Sequence, residues 1–379
     1  MNNEHTNMST LAADREKLIV RTSIVGIVTN VMLAGFKAAV GLLSNSIAVT
    51  LDAVNNLSDA LSSVITIIGA KLGARMPDKK HPLGHGRSEY LSSMLVAAIV
   101  LYAGITSLVE SVKKILHPSE PDYSIVSLVI ITVAIVVKLL LGHYVKRKGE
   151  EANSGALIAS GKDASFDAIL SASVLASAII FIIWHISLEA FVGLVISAVI
   201  IRAGIEMMME TLDDILGRRS DPELSGRIRM LVSEEPDVMG AYDLYLHNYG
   251  PNKYYGSVHM ELPDTMNADE IDRLTRQIQL KVYHETGVIL TGIGIYSYNT
   301  KNDEAAKMRE EVRDVVHLHE WVIQMHAFYA DLEEKTIRFD VVLSFDVDPQ
   351  DAVATLCSEV QAMYPDYAIE IVPDLDVSD

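Results

Sequence analysis

The sequence predicts an α-helical membrane protein with six transmembrane helices, followed by two small α+β modules. Three observations predict it. Half of the 379 residues are hydrophobic and only 6% aromatic, and the mean hydropathy is +0.25. Six apolar stretches are each long enough to cross roughly 30 Å of hydrocarbon at about 1.5 Å per residue. After Gly217 the long apolar runs give way to short mixed elements. A half-apolar chain is not a disordered tail. A formal charge of −19 argues against a nucleic-acid binder, because phosphate calls for Lys and Arg. The single Cys357 excludes a disulfide scaffold and suits a reducing compartment.

The charge is unevenly placed. Residues 1–211 hold 17 basic and 17 acidic side chains, residues 212–302 hold 9 and 14, and residues 303–379 hold 5 and 19. The excess acid therefore follows a charge-balanced apolar body.

The spans run roughly over 19–42, 47–73, 89–115, 123–145, 154–181 and 186–211. Residues 1–18 are polar and lack the apolar core and small-residue cleavage site of a signal peptide, so they read as an N-terminal segment. Lys and Arg set the orientation. Arg15, Lys17 and Arg21 precede the first span, Arg75, Lys79, Lys80 and Arg87 occupy the second loop, and Lys146, Arg147 and Lys148 the fourth. The first and fifth loops carry none and the third only Lys113 and Lys114, so both termini are expected in the cytosol.

Beyond the spans, 223–233 reads as a helix, 239–247 and 255–262 as strands around the turn Tyr249-Gly250-Pro251-Asn252, 267–285 as a helix and 288–298 as a strand. Asn299–Asp303 reads as a linker. The same α-β-β-α-β order then repeats: helix 303–315, strands 318–329 and 336–345, helix 349–363 and strand 366–372. The chain thus divides into 1–18, a transport-type body 19–211, a first module 212–298 and a second, acidic module 303–379, a repeat of pattern rather than of residues.

Carboxylates inside membrane spans are costly and therefore candidates for function. The second span carries Asp52, Asn55 and Asp59, the fifth Asp163 and Asp167. Asn55 and Asp59, like Asp163 and Asp167, are four residues apart, so each pair lies on one helix face, about 6 Å apart along the axis. Two such pairs facing each other supply four oxygen donors, the composition of a divalent-cation site. Uncompensated carboxylates in an apolar bundle would otherwise repel. Structural hydrogen bonds between spans are the alternative, and Asp52 reads as structural or vestibular. Lys37 and Lys138 can reach an interface or a neighbouring carboxylate. Met207-Met208-Met209 reads as packing rather than copper binding. In the second loop, Asp78, His81 and His85 form an O,N,N set of metal-ligand type, although a solvated polar loop explains them as well.

The loop His81-Pro-Leu-Gly-His85-Gly-Arg87-Ser-Glu89-Tyr-Leu, with the two polar pairs and six spans, resembles the cation diffusion facilitator family over roughly residues 15–298. The resemblance implies a homodimeric metal/proton antiporter of a bacterial plasma membrane, not an enzyme, with no prosthetic group and no nucleic-acid partner. It implies a ferredoxin-like, dimerising cytosolic domain over 212–298. It places the transport site on Asn55, Asp59, Asp163 and Asp167 and a secondary metal site on Asp78, His81 and His85. Arg87 matches a basic position that pairs with an acid after the sixth span, here Asp213, with simple anchoring as the alternative. Zinc members carry His at the first position of the fifth-span pair. This chain has Asp163 there, and the set resembles the manganese branch. Imidazole suits zinc and an all-oxygen site suits Mn²⁺, with Fe²⁺ adjacent in the affinity series. Without that histidine, Asp is the proton-exchanging group.

In the first module, His259 matches a family metal position, while other zinc-ligand positions fall on Tyr242, Tyr296 and Ser297, so the zinc cluster is expected to be missing. His247 reads as a strand-end residue. The second module lies outside the family core and carries His317, His319 and His326 among its acids. It reads as a solvated acidic surface, or as a cation-attracting or metal-sensing domain. The leading expectation is export of Mn²⁺ by alternating access. Export of Fe²⁺, Zn²⁺ or a broad range of cations, and a non-transporting membrane sensor, are the alternatives.

Overall fold

The computed structural model describes the backbone of all residues except 1, 44–46, 118–124, 185–188, 302 and 376–379. Side chains are described for the same residues apart from 2–12, 40–43, 47–55, 58, 125–127, 178, 181–182, 184, 189 and 375. The chain forms two compact units, residues 1–218 with the turn 248–252, and residues 219–247 with 253–379.

The first unit consists of α1 (Asn2–Leu43), α2 (Ile47–Gly73), α3 (Ser88–Leu116), α4 (Ile125–Glu151), α5 (Gly155–Trp184) and α6 (Glu189–Leu216). Among the described residues, Ala13–Ala39, Ser88–Leu116, Leu128–Glu151 and Ala190–Leu216 are long and apolar enough to cross a membrane. The remaining two, α2 and α5, have 27 and 30 residues, the same length class. Large apolar side chains such as Met32, Leu95, Leu140 and Val195 are exposed on these helices, as a lipid-facing surface requires. Helices α1, α4 and α6 outrun their apolar stretches, α6 continuing to Leu216 instead of 211. Helix α1 begins at Asn2 instead of residue 19, and α4 continues to Glu151 instead of 145. The flanking segments, Leu11-Ala-Ala-Asp-Arg-Glu-Lys-Leu18 and Lys146-Arg-Lys-Gly-Glu-Glu151, are rich in strong helix formers, so hydrogen bonding continues where hydropathy stops.

Neighbouring helices approach through small residues, as in bundles where lipid removes the hydrophobic drive between helices. A Cβ on Gly161 of α5 would lie 2.5 Å from the Lys146 amide nitrogen of α4, and one on Gly142 would lie 3.0 Å from the Gly161 carbonyl. Gly104 and Gly204 hold α3 against α6 in the same way. At one end, Arg15 ties three elements. It donates to both carboxylate oxygens of Glu89 at 2.7 Å, to Ala152 O at 2.6 Å and to Asn153 O at 3.1 Å.

The second unit holds α7 (Pro222–Ser233), β1 (Gly240–Asn248), β2 (Tyr254–Pro263), α8 (Ala268–Thr286) and β3 (Ile289–Tyr298), then α9 (Glu304–Val316), β4 (Val322–Asp331), β5 (Thr336–Leu343), α10 (Pro349–Met363) and β6 (Ala368–Leu375). The α-β-β-α-β order occurs twice, one strand short of a full ferredoxin-like unit. The sheets run β1-β2-β3 and β4-β5-β6, with β2 parallel to β3 and β5 parallel to β6. Local chemistry fixes the helix starts. Asp221, Asn267, Asp303 and Asp348 each cap a first turn, Asn267 in a capping box with Glu270. Strand β4 begins at Val322, later than residue 318, because Leu318–Glu320 form the turn that leaves α9. Each sheet buries its apolar face under its own two helices: Val258, Met260 and Leu262 in the first, Phe339, Val341 and Leu343 in the second.

Candidate functional site

The i,i+4 spacing on α5 and the face of α2 bring Asp59, Asp163 and Asp167 together, with one carboxylate oxygen of each within 4.8 Å of the others. Asp163 is buried, with 7% of its surface exposed, and Asp59 and Asp167 are partly open. The backbone of Asn55 lies one turn before Asp59 on α2, but its side chain, like that of Asp52, lies outside the described residues.

A fourth group completes the cluster. Lys138 of α4 is buried and donates to Asp59 Oδ2 at 2.5 Å and to Asp167 Oδ2 at 2.8 Å. Lys138 stands one turn before Gly142, so the close α4–α5 approach delivers it to the carboxylates. The three carboxylates face the Lys138 ammonium directly, and Lys37 of α1 is also buried within electrostatic reach of Asp59. Among the described residues the cluster contains no imidazole or thiolate. It is therefore an oxygen-only site for positive charge in an apolar bundle, where each interaction is far stronger than in water.

The loop residues Asp78, His81 and His85 also converge. His81 Nδ1 and His85 Nε2 each lie 3.5 Å from an Asp78 oxygen, and the two rings have centroids 4.5 Å apart. Asp78 Oδ1 accepts from the amides of His81 at 2.7 Å and Lys80 at 2.8 Å, and the His81 amide first of all holds its carboxyl below the usual range. Arg87 does not pair with Asp213. Its guanidinium donates to the Asn248 carbonyl at 3.0 Å and stacks on the Tyr249 ring at 4.4 Å, within the first unit. That is the anchoring alternative.

In the second unit, His259 places Nδ1 3.1 Å from Asp243 Oδ2 and stacks on Tyr296. His317 bonds the Arg313 carbonyl at the end of α9, and His319 bonds Glu359 and stacks on Trp321. His247 is exposed. His326 instead joins Asp243, Asp340 and Asp374 in a buried cluster. Sequence reasoning passed over those three acids. The available signal was Asp340, an acid flanked by Phe339 and Val341 inside a strand of apolar alternation.

The sequence is similar to those of known transport proteins. Among similar chains, an uncharacterized transporter of Methanocaldococcus jannaschii is 27% identical over 248 residues, covering 65% of this chain and 87% of its own. The manganese efflux system protein MneP of Bacillus subtilis is 23% identical over 280 residues, covering 72% and 93%. The cation-efflux pump FieF of Shewanella oneidensis is 24% identical over 266 residues, covering 70% and 88%. Residues 23–216, just over half of the chain, match the family described as the cation efflux transmembrane domain. An intramembrane carboxylate cluster, apolar helices and this match lead to one conclusion: the chain belongs to the cation efflux, or cation diffusion facilitator, family and is an integral membrane transporter of divalent cations.

Proposed function

We propose that the protein exports Mn²⁺ from the cytosol in exchange for protons, by alternating access in a homodimer. The carrying observation is the oxygen-only cluster of Asp59, Asp163 and Asp167 inside the helical bundle. Asn55, one turn before Asp59, supplies the fourth oxygen. Carboxylate and amide oxygens suit Mn²⁺, and a site without imidazole forgoes the nitrogen donors that zinc uses well. The similarity to a protein named for manganese efflux supports the same cargo.

Lys138 acts in this reading as a tethered counter-charge. Its ammonium bridges Asp59 and Asp167 when the cation is away, and arriving Mn²⁺ displaces it. Protons entering on the aspartates weaken their hold on the cation and drive release on the far side. Asp78, His81 and His85 form a second, more open cation site at the cytosolic end of α3. Both termini face the cytosol, by the distribution of Lys and Arg.

Purified protein in liposomes with a pH-sensitive dye inside tests the reading. Mn²⁺ uptake should come with proton counterflow, and Asp163→Asn should abolish both. Uptake of Zn²⁺ or Fe²⁺ in preference to Mn²⁺ would replace the cargo while keeping the site. Manganese uptake without proton movement would remove the antiport. Absence of Mn²⁺ flux in an intact, folded protein that still moves another divalent cation would overturn the manganese reading.

A further inference from the structure

The two α+β modules meet through the sheet faces that carry no helices. Val258, Met260 and Leu262 point into the first core, so strand alternation turns His259 and Glu261 to the other face of β2. Phe339 and Val341 point into the second core, so Asp340 turns to the other face of β5. Yet Asp340 is only 6% exposed, and His326, its cross-strand partner on β4, is 4% exposed. The first module covers them. Tyr242 of β1 stacks on the His326 ring with centroids 4.7 Å apart, and the Tyr296 hydroxyl of β3 lies between two carboxylates, 2.7 Å from Asp243 Oδ2 and 3.2 Å from Asp340 Oδ2. Arg309 of α9 closes the same junction over the Tyr298 ring of β3 at 4.2 Å.

Inside this junction one donor atom each from Asp243, His326, Asp340 and Asp374 lies within 4.8 Å of the others. A cation bound at roughly 2.1–2.4 Å needs donors about 3–4.8 Å apart. The His326 side chain is fully buried, with Nε2 3.0 Å from Asp243 Oδ1 and 3.5 Å from Asp374 Oδ2. Neither of its ring nitrogens makes a well-directed hydrogen bond to any described residue, and Asp340 Oδ1 is also buried without a partner. A buried imidazole whose contacts to the surrounding carboxylates are poorly directed is a donor that a bound metal ion can engage and satisfy.

We propose that Asp243, His326, Asp340 and Asp374 bind one divalent cation of the Mn²⁺ class, clamped between the two α+β modules of a single chain. Three carboxylates and one imidazole are a hard to borderline donor set, and Asp374, at the rim with 21% of its side chain exposed, marks the open side. Three of the four ligands come from residues 303–379, so this is a site that the transport body does not need. It does not rest on the transport reading, and the test keeps the two apart.

The test uses full-length protein in detergent, with Mn²⁺ as the probe. Bound Mn²⁺ is counted by equilibrium dialysis, and hydrogen exchange is followed in β4 and β6. Wild type should gain Mn²⁺-dependent protection of at least tenfold in both strands. His326→Gln should bind one ion fewer per chain and lose that protection. Asp163→Asn should keep the protection while losing the transport-site ion. If His326→Gln proves misfolded, as judged by exchange in β4 without metal, Asp374→Asn at the rim carries the test with the same expectation. Unchanged stoichiometry and protection in a folded variant, or no Mn²⁺-dependent protection in wild type, would overturn the proposal and leave a buried ion-pair network.

Discussion

At the scale of single residues, two positions set the chemistry of the membrane site. Position 163 sits deepest, and a histidine there would add the nitrogen donor that zinc favours. Asp163→His is therefore expected to gain Zn²⁺ transport and lose preference for Mn²⁺, in uptake assays with both ions. Lys138 holds two of the three carboxylates through direct bonds. In the proposed cycle it competes with the cargo. Lys138→Met should tighten Mn²⁺ binding by about tenfold, equal to roughly 1.4 kcal/mol, and slow turnover because release becomes harder. Calorimetric titration beside a transport assay checks both halves, and weaker binding by the variant would show that Lys138 organises the site instead.

At the scale of elements, helix contacts decide what the sequence could and could not reveal. The i,i+4 spacing of Asp163 and Asp167 is a local property, so it was legible. So were the six spans and the doubled α-β-β-α-β order, because apolar period and caps such as Asp348-Pro349 are written within one element. The sequence leaves Lys138 open between an interface and a carboxylate, since only the crossing of α4 with α5 chooses. For Arg87 the analogy offers Asp213 as partner with simple anchoring as the alternative, and the contact with Asn248 is the anchoring one. The Asp340 cluster needed two sheets to meet, which no single strand announces. The crossings themselves can be tested. Gly161→Val would drive a side chain into the Lys146 backbone and should cost about 1–3 kcal/mol, read as a lower unfolding midpoint in detergent. Arg15→Ala strands the buried Glu89 carboxylate and should cost about 3–5 kcal/mol in the same measurement, with Arg15→Ala/Glu89→Ala recovering part of it.

At the scale of the whole molecule, the net charge of −19 separates into a balanced membrane body and an acidic C-terminal part. Some of that acid is structural. The Ala306 amide, with the Asn299 side chain, holds the Asp303 carboxyl below its ordinary value of 3.8, and the Thr300 hydroxyl does the same for Asp264. A folded value below the unfolded one stabilises above the unfolded value and is lost as pH falls through the folded one. Asp303→Ala should therefore lower the unfolding midpoint of the second unit at pH 7, and the gap from wild type should shrink as the pH falls below about 3.8. An equal gap at pH 7 and pH 2.5 would assign the effect to helix geometry alone.

The pairing of Tyr242 with His326 has a consequence for how the molecule counts ions. A ligand set shared between two copies of a chain fills only when the copies assemble, so its occupancy depends on protein concentration. Here both halves of the junction are encoded in one polypeptide, at a fixed local concentration. Its occupancy should follow a simple hyperbola with a Hill coefficient of about one, and should not change on dilution of the protein. The duplication gives each chain its own gauge of free cation.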